Sequence, residues 1–146
     1  MIQMNNTKHV KQLRNKYRGR SKLGVAAVEF AVISPVFVLL FFGTIEACRF
    51  IYLRQTLTIA AYEATRTALV PKTTSAQVIA AANNILKDRG VKDAVVTITP
   101  STFGTAPIQS FIEVRVTAPA NSNSLVKANF FESKSLVGRC SMMKEY

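Results

Sequence analysis

A chain of 146 residues, of which 49% are hydrophobic, has room for one small domain beyond any membrane anchor. Its net charge of +11 would suit a nucleic-acid partner, but Lys8, Lys11, Arg14, Lys16, Arg18, Arg20 and Lys22 all precede residue 24 with no acid among them. The rest carries twelve basic and eight acidic side chains, an ordinary polar surface, which argues against nucleic-acid binding.

Residues 1–24 are polar and basic, with Asn5, Asn6, Gln12 and Asn15 and few apolar side chains to bury, so a flexible cytoplasmic leader is expected. Next comes LGVAAVEFAVISPVFVLLFFGTI, Leu23 to Ile45, with one carboxylate, Glu29. A helix over 25–45 would be about 31 Å long, enough to cross the hydrocarbon core of a bilayer. Basic residues before a first span are retained in the cytoplasm, which would put residues 46–146 on the outer side. Glu29 calls for an explanation, because a carboxylate inside an apolar span costs on the order of 3 kcal/mol. It is either an acid that snorkels to the interface or a group kept for a partner. Pro35 removes a backbone donor, and with Ser34 beside it a kink or a short unwound turn is expected.

Signal peptidase requires small residues one and three positions before its cut. Phe41-Phe42-Gly43 and Ile45-Glu46-Ala47 offer poor sites, and Glu46 spoils a lipoprotein motif ahead of Cys48. The apolar segment is therefore expected to stay on the protein.

Beyond it the pattern turns amphipathic. Phe50, Leu53, Leu57, Ala60, Ala64 and Ala68 recur at steps of three and four, with Arg49, Thr56, Glu63 and Arg66 on other faces, predicting a helix extension over 46–70 that Pro71 ends. Glu63 and Arg66 can pair on its surface. Thr74 with Gln77 forms a capping-box signal for a second helix, 74–89, which Gly90 stops. Strands are predicted near 93–99, with Ala94, Val96 and Ile98 on one face, and near 109–118, with Ile112, Val114, Val116 and Ala118 on one face. Pro100, Gly104 and Pro107 mark the connection between them. Residues 122–131 read as a short helix or turn packing Leu125, Phe130 and Phe131, and 135–143 as a third strand. The fold class is α+β: a three-stranded antiparallel sheet covered on one face by the amphipathic helix.

The basic leader, Gly24, and VAAVEF opening an apolar helix resemble the processing site of type IV prepilins and pseudopilins. ISPVFVLLFFGTIEACRF, with Pro35 and then Gly43, Glu46 and Arg49, resembles the signature of TadE-like pseudopilins of the tight-adherence (Flp) pilus. RCSMMKEY is compatible with the last strand of that family. The resemblance implies a pilin-like fold and cleavage by a prepilin peptidase between Gly24 and Val25. It also implies a role for Glu29, beside Phe30, in neutralising the new amino terminus of a neighbouring subunit. As a minor pilin the chain would lie in the bacterial inner membrane with a periplasmic domain, or enter the extracellular filament, and would support adhesion and biofilm formation. Its implied partners are the major pilin, other pseudopilins, the inner-membrane assembly platform and membrane lipid. The alternative is an uncleaved single-pass scaffold or adaptor in the envelope.

No catalytic, metal or cofactor constellation is expected. The only histidine is His9, in the leader, and the two cysteines, Cys48 and Cys140, are far apart in sequence. On an oxidising outer side the two cysteines could form a disulfide or stay as buried free thiols; sequence leaves both open.

Overall fold

A computed structural model describes the backbone of residues 4–23 and all atoms of residues 24–125 and 134–145. The chain divides into two units, Met1–Thr44 and Ile45–Tyr146. The elements in order are α1 (Met4–Ala68), α2 (Ser75–Asp88), β1 (Val95–Thr99), a 3-10 turn (Phe103–Thr105), β2 (Phe111–Pro119), α3 (Ala120–Asn123) and β3 (Ser135–Met143).

In the first unit everything described is helix. α1 begins at Met4 rather than near Val25, so the backbone of residues 4–24 is helical. Its Lys, Arg, Gln and Leu residues lose little rotamer freedom in a helix, and no proline interrupts residues 4–24. Nor does the helix unwind at Ser34-Pro35, where a kink or a short unwound turn was expected. Pro35 deprives only the Ala31 carbonyl of its partner, and the residues on both sides remain helical.

The second unit is a sheet with two helices on one face. The sheet order is β1-β2-β3, antiparallel throughout, with Val96 opposite Val116 and Val114 opposite Cys140. Strict alternation in β2 buries Ile112, Val114, Val116 and Ala118 completely, and the expected strand faces are as observed. Against them pack Leu53, Leu57, Ala60, Ala61, Ala64 and Ala68 of α1, and Val78, Ala82 and Leu86 of α2, with Phe103 joining the same core. The four alanines let the helix lie close to the sheet. Closest of all is β3, where a Cβ on Gly138 would sit 2.3 Å from the Leu57 carbonyl carbon and 2.4 Å from the Thr58 nitrogen. Only glycine fits there.

α2 carries the expected capping box: Gln77 N–H donates to Thr74 Oγ1, and Thr74 N–H donates to Gln77 Oε1 at 2.9 Å. Glu63 and Arg66 approach to 3.9 Å on the surface. Thr56, expected off the apolar stripe, is fully buried and its hydroxyl has no hydrogen-bond partner among the described residues. It adjoins Leu57 on α1, and the core-facing side of the helix is wider than the stripe of threes and fours implied. Of the segment 122–131, Leu125 is exposed, and Phe130 and Phe131 lie outside the described residues.

Candidate functional site: the apolar span and its junction

Between Val25 and Phe42 twelve large apolar side chains are 48% to 73% exposed. Burying one such side chain is worth about 1.5–3 kcal/mol, so a water-exposed segment of this composition would forgo a large stabilisation. The helix has one stretch long and apolar enough to cross a membrane, and none of that window is buried against the rest of the chain. Phe41 and Phe42 meet edge to face, 6.0 Å between centroids, and Thr44 returns its hydroxyl to the Leu40 carbonyl at 2.8 Å. The latter bond hides a polar hydroxyl where the apolar run ends.

Within this span Glu29 is exposed and forms no ion pair among the described residues. Phe30 beside it is 69% exposed. Gly24 and Gly43 are glycines that nothing among the described residues requires: a Cβ on either meets no atom there within 4 Å, and neither has a positive φ. A glycine inside a helix costs about 0.5–1 kcal/mol against alanine. Both are therefore retained at a cost that internal packing does not explain.

Glu46, at the first turn of the second unit, behaves differently. It is buried to 8% exposure, and its carboxylate accepts hydrogen bonds from Ser124 Oγ and, at 3.2 Å, from the Leu125 N–H. Asn123 makes this possible. Its side chain accepts from Lys92 N–H at 2.9 Å and donates to the Lys92 and Pro119 carbonyls, fixing the end of α3 so that the next two residues face Glu46. Arg49, the third residue of the motif, is exposed and does not pair with Glu46. The motif thus separates into a glycine with open space around it, a buried structural carboxylate and a surface cation that forms no ion pair among the described residues. Sequence singled out Glu46 but could not find its partners, which lie 78 and 79 residues away.

Both cysteines are free thiols. Cys48 is exposed, contrary to the expectation that free thiols would be buried, and Cys140 is half-buried at the core's edge. A bridge is sterically out of reach. The Cys140 carbonyl lies 3.3 Å from Thr65 Oγ1, and Thr65 is seventeen residues, about 25 Å of helix, beyond Cys48.

These features define a class: an α+β protein in which one helix supplies an apolar span and, further along, the cover of a three-stranded antiparallel sheet. Residues 24–66 match the family described as TadE-like protein, so the segment from the glycine through the buried face of α1 is TadE-like, as the sequence signature implied. No curated protein and no solved structure matches the chain.

Proposed function

We propose that this chain is a minor pilin, or pseudopilin, of a tight-adherence pilus, made as a precursor, inserted in the inner membrane and cut between Gly24 and Val25. A TadE-like segment implies association with such a pilus, and one apolar helix is compatible with a single-pass membrane protein in that system. The observation that carries the finer reading is the coincidence at one place of three features. The family match starts at Gly24, no packing or backbone conformation among the described residues demands that glycine, and Glu29, which forms no ion pair among them, follows five residues later in an otherwise apolar span.

Cutting there gives Val25 a cationic amine one helical turn from Glu29. Opposite charges about 4 Å apart attract by about 4 kcal/mol at an effective dielectric of 20. That is comparable to the roughly 3 kcal/mol penalty of placing the carboxylate in lipid. A Glu29 meeting the amine of the next subunit would set the register in which subunits add. Its function is then assembly rather than catalysis, with the prepilin peptidase, major pilin, other pseudopilins and assembly platform as partners and with adhesion and biofilm formation as the outcome. The basic leader orients the helix with residues 46–146 in the periplasm.

One observation favours the alternative of an uncut envelope scaffold: α1 runs helical from Met4 through Gly24 without a break. N-terminal sequencing of the protein extracted from membranes separates the two. A start at Val25 is expected, and Gly24→Phe should leave the longer precursor. A start at Met1 in the parent protein would overturn processing and support the scaffold.

A further inference from the structure

The helices cover one face of the sheet; among the described residues nothing covers the other, and its residues follow from the register. Along β3, same-face residues are about 6.8 Å apart. The first row is Val95, Thr117 and Val137, the second Thr97, Arg115 and Arg139, and the third Thr99, Glu113 and Ser141, with Phe111 beside Met143 at the far end. Val95, Val137, Phe111 and Met143 are 62%, 42%, 65% and 43% exposed.

The second row is unusual. Arg115 and Arg139 are direct cross-strand partners, an arrangement of like charges that destabilises a sheet. Glu113 relieves only one of them, approaching Arg115 at 3.3 Å. Arg139 makes no hydrogen bond or ion pair among the described residues. Among the described residues, two adjacent guanidiniums with a single carboxylate beside them leave one anion's worth of charge uncompensated, in the middle of a face that is apolar at both ends.

We propose that this outer face docks a carboxylate-bearing segment of another protein, its acidic side chain held by Arg139 and Arg115 and its flanking apolar residues resting on Val137 and Val95 or on Phe111 and Met143. Charge complementarity selects the occupant. Guanidinium matches carboxylate geometry and can bind it through two parallel hydrogen bonds. A phosphate polymer is a poorer match, because its binding grows with the number of phosphates neutralised, and this face offers two cations beside Glu113. Arginine, aromatic and methionine side chains are the ones enriched at protein interfaces, and this face exposes all three. The inference does not depend on processing at Gly24 or on incorporation into a filament.

The test uses the full-length protein in detergent micelles and a fluorescent peptide of alternating leucine and glutamate, read by anisotropy. The expected result is binding that salt weakens and that the leucine–glutamine counterpart lacks. Arg139→Gln should lower affinity about fivefold and the double change with Arg115→Gln at least about tenfold, while Lys87→Gln on α2 leaves it unaltered. A thermal midpoint in Arg139→Gln that is equal to or above the parent's would confirm that lost binding is not lost folding. Failure of the parent protein to bind the acidic peptide, or equal binding by the double variant, would overturn the proposal. So would tighter binding of polyphosphate or of phosphatidylglycerol vesicles with the same arginine dependence, which would assign the face to phosphate. Concentration-dependent self-association abolished by Arg139→Gln would assign it to a second copy and overturn it equally.

Discussion

Gly138→Ala tests the closest contact in the fold. A methyl group there would lie 2.3, 2.4 and 2.6 Å from the Leu57 carbonyl carbon, the Thr58 nitrogen and the Leu57 oxygen. All three are backbone atoms, so no side chain can rotate aside; β3 and α1 would have to separate by about 1 Å to restore ordinary contact. Overpacking of this kind costs typically 1–3 kcal/mol, and a clash against rigid backbone belongs at the upper end, about 3 kcal/mol. Alanine would recover about 0.4–1 kcal/mol by restricting the unfolded chain. The net loss is about 2 kcal/mol or more. In a unit of about 100 residues that corresponds to a fall in Tm of roughly 8–16 °C. Near-UV circular dichroism of the full-length protein in detergent, followed through a thermal ramp, reads this directly. Gly104→Ala is the control, since a Cβ there meets nothing within 4 Å. If Gly138→Ala melts within about 2 °C of the parent, the close approach of helix and strand is wrong.

Glu29→Ala is expected to leave cleavage largely intact but to keep the protein out of the assembled pilus; normal incorporation, seen by immunoblotting of sheared filaments, would refute the charge-pairing role. Glu46→Ala removes the acceptor for the Ser124 hydroxyl and the Leu125 N–H, and should destabilise the second unit by about 2 kcal/mol with faster amide exchange at Leu125. Unchanged exchange there would mean that the carboxylate does not hold the segment. Thr56→Val replaces a buried hydroxyl that has no partner among the described residues with a methyl of nearly the same shape, and should raise stability by about 1 kcal/mol. A lower Tm would show that the hydroxyl is satisfied in solution.

Much of the second unit was legible because short-range rules govern it. The capping box at Thr74 and Gln77 needs only four consecutive residues, and alternation in 112–118 sorts side chains between two faces whatever lies above them. The first unit was legible for a different reason: twenty mostly apolar residues in succession have few uses. What misled there was composition. It placed the start of the helix near Val25, yet nothing in the basic leader stops a helix, and α1 reaches back to Met4. Pro35 likewise removes one hydrogen bond without forcing an unwound turn.

By itself, then, the sequence determined the apolar span, its lone acid, the order of the main helices and strands and the faces the strands bury, because each follows from periodicity or from chain-local hydrogen bonding. Only the tertiary structure decided which distant groups meet. Glu46 reaches Ser124 and Leu125, Cys48 and Cys140 stand too far apart to join, and Arg115 lies opposite Arg139. Gly138 shows the boundary between the two. A glycine inside a strand signals a close approach of some kind, but that its neighbour is the backbone of Leu57 and Thr58 depends on how a helix settles on a sheet, a sum of many weak contacts that no local pattern encodes.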